Sequence, residues 1–343
     1  RIEAGSFRGK PVMFVIFEPW DRHFQQEAYP VRPGQAGLAI FNSLLVAGMI
    51  LGAALLSLRN LRLGRVDRRG AIRLAAFVAV ALMTAGLLET SHVPQFAVEL
   101  YLLTVLLEEA VFFSLATWLA YVALEPLVRR RWPDALISWN RLLAGRLRDP
   151  CIGRDILVGT VAGVLMLWVI LPVYLAPRWF GLAMPIPEGG DLAKLVGIRY
   201  ALAELVGQLW WSVISALVCV LLLFLLRVLL RKHWLAVTAM VALGILTSIL
   251  VYASTPFLLV FTIPATVIAI LVIYLMISRF GLLSLCTMLL LMNWYGEGFG
   301  DLTAWYGKSL LVFYLGIAAL TLYGFWTALG GQRLIGGGLV PED

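Results

Sequence analysis

The run LLEEAVFF places two glutamates, Glu108 and Glu109, side by side inside a long apolar stretch. A carboxylate is costly in hydrocarbon, so acids in such a stretch relay protons, bind a cation or pair with an arginine. The structural alternative is a protonated acid hydrogen-bonded to a neighbouring helix. Adjacent helix positions diverge by about 100°, so both side chains are expected to face protein in a well-surrounded helix. A second polar step, Glu204 and Gln208, stands at i, i+4 with Arg199 just before it. That spacing puts both on one helix face, as a polar seam between helices or part of a water-filled cavity. Asn42 and Asn293 are isolated in apolar runs and are expected to hydrogen-bond between helices.

Other chemistry does not assemble. Cys151, Cys219 and Cys286 have no ligand or disulfide spacing, and His23, His92 and His233 are far apart, so no metal site and no cofactor are expected. A Glu-Glu pair on a helix also opens the motif of CAAX-processing membrane proteases. That motif needs an arginine four positions after the second acid, where this chain has Phe113. The glycine-rich stretch NWYGEGFGDLTAWYGK at 293–308 follows no strand and lacks a Walker lysine, so it is not a phosphate loop. Its Trp294, Tyr295, Trp305 and Tyr306 are expected to be interfacial anchors. No Ser-His-Asp set and no kinase motif occurs, and the chain is expected not to be an enzyme.

The basic residues have a different pattern. LEPLVRRRWP at 124–133 sets Arg129, Arg130, Arg131 and Trp132 directly after an apolar run, with Arg141 and Arg148 following. In a soluble protein of net charge +7 such a cluster would suggest nucleic acid. Beside a membrane span it marks the boundary, with the arginines at anionic headgroups and Trp132 as an anchor. The reading here is an anionic-lipid or docking surface, and no nucleic acid.

The elements that must position these residues are membrane helices. The chain has 343 residues, of which 61% are hydrophobic and 14% charged, and its mean hydropathy is +0.91. Apolar runs of roughly 20 residues match a bilayer's hydrocarbon thickness, and they lack the period-two alternation of a membrane barrel. The fold class is therefore an all-α polytopic bundle of about nine spans, near 36–58, 74–89, 97–124, 156–176, 201–228, 234–253, 257–278, 280–295 and 309–329. The loops at 59–73 and 129–154, with Arg227, Arg231, Lys232 and Arg279, put the positive charge on one side. That side is cytoplasmic by the positive-inside bias, which gives an N-outside, C-inside protein. In a bacterium this is the cytoplasmic (inner) membrane.

Three domains follow. Residues 1–35 form an extracytoplasmic segment with a strand-like run from Val12 to Phe17, 36–329 the membrane domain, and 330–343 a cytoplasmic tail. The membrane domain includes an amphipathic helix at about 133–149. Leu136, Trp139, Leu143 and Leu147 lie on one face of it, and Asp134, Ser138, Arg141 and Arg148 on the other. It is expected to lie flat in the interface or to cover the ends of the spans. The chain starts at Arg1 and reads as the back part of something longer.

Four phrases carry a resemblance: FRGKPVMFVIFEPW at 7–20, SLRNLRLGRVDRRGAIRLAAF at 57–77, the stretch from YVALEPLVRRR to GRDILVG at 121–159, and DLTAWYGKSLLVFYLGIAALTLYGFW onward from 301. They resemble the C-terminal membrane region of acidobacterial transmembrane serine/threonine protein kinases. The resemblance implies an upstream cytoplasmic kinase domain, and therefore a non-catalytic membrane module that senses or anchors. No catalytic residue carries over. The alternatives are an accessory subunit of a larger membrane complex, with other membrane subunits and lipids as partners, and a transporter or intramembrane enzyme that uses the buried acids.

Overall fold

The computed structural model describes residues 2–7, 10–16, 33–181, 195, 197–252, 256–298 and 302–330. The expected segment between 17 and 32, most of the 177–200 loop and the tail from 331 lie outside the described residues.

Strands β1 (Ile2–Phe7) and β2 (Lys10–Ile16) pair as an antiparallel hairpin with a bulge at Gly5/Ser6. Only β2 is legible in the sequence as a strand. β1 reads IEAGSF, and its Ala and Gly have low strand preference, so its extended form depends on hydrogen bonds from its partner.

The rest is helical. The helices are α1 (Pro33–Arg62), α2 (Arg68–Glu89), α3 (Phe96–Arg131), α4 (Ile137–Leu143), α5 (Pro150–Trp179), α6 (Ile198–Leu230), α7 (His233–Val251), α8 (Leu259–Leu275), α9 (Leu282–Gly298) and α10 (Gly307–Ala328). Local signals set several ends. Gly64, at φ +64°, closes α1 in the left-handed conformation that glycine adopts without cost. Asp67 caps α2 by accepting from the Gly70 N–H at 3.0 Å. Asp149 caps α5 by accepting from the Cys151 N–H at 3.0 Å, with Pro150 in the first turn.

Seven of these helices are long and apolar enough to cross a membrane: α1, α2, α5, α6, α7, α8 with its π-turn to Phe280, and α10. They fall where seven of the nine expected spans do. The third expected span is α3, whose 36 residues carry Glu99, Glu108, Glu109 and Glu125. It runs past Pro126 to Arg131, beyond the expected end at 124. The eighth is α9, 17 residues long and apolar from Leu282 to Trp294. A helix apolar on every side is buried by protein or by lipid, and for α9 it is protein. Accordingly Leu283, Leu285, Cys286, Met288 and Leu291 are all buried.

Small residues let α5 approach α9. A Cβ on Gly159 would lie 2.5 Å from the Ser284 carbonyl oxygen, and one on Gly163 2.9 Å from Leu291 Cβ. The GxxxG spacing of these two glycines gives α5 a flat face for close packing. Gly153 meets the backbone of α10 in the same way, at Gly324 and Ala328. By contrast, α1 is peripheral. Only 6% of its apolar window is buried, against 39% for α6.

The expected helix over 133–149 is replaced by a shorter, more tightly held strap. A 3-10 turn, Pro133–Leu136, leads into α4, which ends at Leu143. Leu136 and Trp139 are buried in the main core, while Leu147 is exposed. Ser138, expected on the polar face, is also buried, and its hydroxyl donates to Asp155 Oδ2 at 2.5 Å. The strap therefore covers the helix ends rather than lying flat in the interface. A wheel drawn on 133–148 misses this because Gly145, at φ +81°, breaks the helix.

Candidate functional site

The two ends of the bundle carry the two groups of polar residues. At one end α2 and α3 run antiparallel, with Gly86 against Leu106, Val78 and Leu82 clustered with Ala110, and Gly70 near Tyr121. The first turns of α3 therefore project past the end of α2. Glu109 stands about opposite Leu82, which at 1.5 Å per residue is roughly 10 Å inside the end of α2. The acids thus lie well inside the span, offset from its middle toward that end.

Both Glu108 and Glu109 are exposed on the bundle, and for Glu108 this departs from the expectation that it faces protein. The reason is that α3 is covered here on one side only, leaving Leu107, Val111, Phe112 and Leu115 exposed beside Glu108. Glu109 nevertheless lines a groove of about 300 Å³ between α2, α3 and α6, with Glu89, Glu204, Gln208, Trp210 and Trp211. Glu204 and Gln208 share a face as expected, and Gln208 Nε2 donates to Glu204 Oε1 at 2.5 Å. Gln208 Oε1 is enclosed and accepts no hydrogen bond among the described residues.

The loop above this groove is tied by His92. Its Nδ1 lies 2.9 Å from Glu99 Oε2 and its Nε2 3.0 Å from the Leu87 carbonyl oxygen. Two acceptors suit the doubly protonated ring. The Glu99 carboxylate first, and then the Leu87 carbonyl, hold the His92 pKa above the ordinary histidine value.

At the other end, α3 passes through Pro126. Proline has no N–H to offer the carbonyl four residues back, so the Val122 oxygen is left free. Asn60 of α1 supplies the missing donor, with its Nδ2 3.0 Å from both the Val122 and the Ala123 oxygens. Ser57 donates to the Leu119 oxygen at 2.8 Å. The interhelical amide is thus Asn60; the exposed Asn42 does not fill that role. Glu125 is 1% exposed and pairs with Arg129 one turn on. The far side of Arg129 faces a cleft of about 530 Å³, lined by Gly64, Arg65, Val66, Asp67, Pro126, Arg129 and Arg130.

The expected basic surface divides. Arg129 and Arg130 share that cleft. Arg131 closes α3, and its side chain lies outside the described residues. Trp132 packs against protein, its ring 6.3 Å from that of His233. Arg141 is taken up internally by both oxygens of Asp149, at 2.7 and 2.8 Å. This bond holds the Asp149 carboxyl below the usual carboxylate range. Arg148 is exposed. Trp294, expected as an interfacial anchor, is buried and donates to the Leu205 oxygen at 3.2 Å, whereas Trp305 is exposed.

The strap beside the cleft is fixed at several points. Besides Ser138 to Asp155, Arg73 donates to the Leu143 oxygen at 2.7 Å and Tyr323 to the Leu147 oxygen at 2.6 Å. Gly281, at φ +103°, allows the π-turn to close on Ala135, whose carbonyl oxygen lies 2.6 Å from where a Cβ would stand. Asp155 also accepts from Arg154 at 2.9 Å. Sequence reading missed Asp155 and Asn60, and had Arg65 only as part of the basic loop at 59–73. Asp155 alone left a signal, as an acid in the first turns of an apolar run.

Among the described residues no group of three or more His, Cys, Asp or Glu side chains could hold a metal ion. Comparison of the chain with protein-family models, curated proteins and solved structures finds no match.

Proposed function

We propose that the chain is a non-catalytic, multi-pass module of the bacterial inner membrane that senses or anchors for a kinase-like receptor. In this reading nine spans run N-outside to C-inside, and the arginine-bearing end faces the cytoplasm. The observation that carries it is the fixed strap over 133–149. Contacts from α2, α5, α10 and the π-turn hold it in one position. A surface fastened in this way suits a docking platform for an attached domain.

Two measurements test it. Single cysteines at Ser91 and Arg148, with Cys151, Cys219 and Cys286 replaced by alanine, are labelled with an impermeant maleimide in intact cells and in inverted vesicles. Ser91 is expected to label from outside and Arg148 from inside; the same side for both ends the topology. An antibody to the strap should detect a native membrane polypeptide well above the 37.9 kDa of this chain. A band of that size instead favours the accessory-subunit alternative.

A second reading has its own observation. The groove that reaches Glu109, Glu204 and Gln208 is what a transporter or intramembrane enzyme would need. If so, Glu109→Gln with Glu204→Gln abolishes uptake or turnover in membranes while assembly is unchanged.

A further inference from the structure

At one place cations outnumber the carboxylates beside them. The cleft between the α1–α2 turn and the end of α3 brings together Arg65, Arg129 and Arg130, three guanidinium groups against the single carboxylate of Asp67. Asp67 already accepts from the Gly70 N–H. Arg129 is balanced inward by Glu125. Neither Arg65 nor Arg130 has an ion pair among the described residues.

The walls are fixed. Gly64 sets the turn that carries Arg65, and Asn60 ties that turn to the backbone of α3 at Val122 and Ala123, one turn before Pro126. Arginines presented from two elements at fixed separation are suited to the oxygens of one phosphate, which they can grip in paired hydrogen bonds. A volume of about 530 Å³ accommodates a phosphate with its headgroup.

We infer that this cleft is a binding site for the phosphate of an anionic lipid headgroup, held chiefly by Arg65 and Arg130 with the outer edge of Arg129. The lipid source is favoured over a soluble phosphate by the surroundings. Pro126 of α3 lines the cleft, and Leu55 and Leu58 of α1 and Leu63 just after it are exposed, the last of them next to Gly64 at the rim. That is apolar surface for acyl chains beside a basic pocket. The site deepens the cytoplasmic face proposed above and rests on that reading only for the leaflet.

The test uses the full chain in detergent, titrated with phosphatidylglycerol or phosphatidylcholine and followed by native mass spectrometry. Arg65→Gln with Arg130→Gln removes two cleft charges and leaves the Glu125–Arg129 pair in place. Arg231→Gln with Lys232→Gln removes two exposed charges outside the cleft. The cleft variant should bind phosphatidylglycerol about 30-fold more weakly, the product of two arginines each worth several-fold at such a surface. The control should change by less than about threefold, and phosphatidylcholine binding should not change in either. Equal losses in both variants would show diffuse surface charge and overturn the site. Loss of bound phosphatidylglycerol to millimolar inorganic phosphate would overturn the lipid assignment and give the cleft to a soluble phosphate. Reversed cysteine labelling with intact lipid discrimination would sink the topology and leave the cleft standing.

Discussion

At the scale of single residues, Asn60 and Pro126 act as one unit. The proline breaks the hydrogen-bond ladder of α3, and the amide of a neighbouring helix closes it. Asn60→Ala should cost about 1–3 kcal/mol, the penalty of leaving a buried carbonyl without a donor. With Pro126→Ala the N–H at 126 returns, so Asn60→Ala in that background should cost much less. A double-mutant cycle followed by thermal unfolding in detergent checks this, and additive losses would refute the coupling. His92 gives a pH prediction. Its folded pKa is raised by Glu99 and the Leu87 carbonyl. The contribution of the pair is therefore fully present below the unfolded histidine pKa and is lost as pH rises through the higher folded value. Hydrogen exchange of the Val93 amide, which donates to Glu99 Oε1 at 2.8 Å, should quicken across that window beyond the intrinsic rate increase. In His92→Gln that additional quickening should vanish.

At the scale of elements, two packings determine what the site can be. The first is α5 against α9. Gly159 meets backbone and Thr287, not a flexible side-chain end, so Gly159→Leu forces the helices apart. Overpacking of this kind costs at least about 1–3 kcal/mol, and melting of the detergent-solubilised protein should show it. Gly37→Leu, with open space around it, is the control. The second packing is the strap. Asp155→Ala removes the acceptor for Ser138 and Arg154 and should release α4. Hydrogen exchange over 137–143 should rise several-fold, with α9 unchanged. Protection that stays unchanged would mean that burial of Leu136 and Trp139 holds the strap alone.

At the scale of the whole molecule, burial is uneven, and stability should follow it. The periphery is α1, and α9 is the enclosed centre. In detergent, amides of residues 40–51 should exchange faster than those of α6, and those of 283–291 slowest of all. Comparable protection in α1 and α9 would indicate a cover on α1, such as a second copy or a partner subunit.

Composition and hydropathy along the chain determined that this is a bundle of apolar helices, and roughly where they lie, because burial in a bilayer demands long apolar runs whatever their neighbours are. The i, i+4 spacing of Glu204 and Gln208 likewise determined their shared face, since helix geometry is local. Neighbours decided the rest. Glu108 and Glu109 are exposed because α3 is covered on one side only, and no property of LLEEAVFF records that. The strap is pinned because Asp155, Arg73 and Tyr323 arrive from other helices. Arg65 meets Arg129 and Arg130 because Asn60 reaches a carbonyl freed by Pro126. Each of these depends on residues more than a dozen positions apart in the chain, and only tertiary packing brings them together.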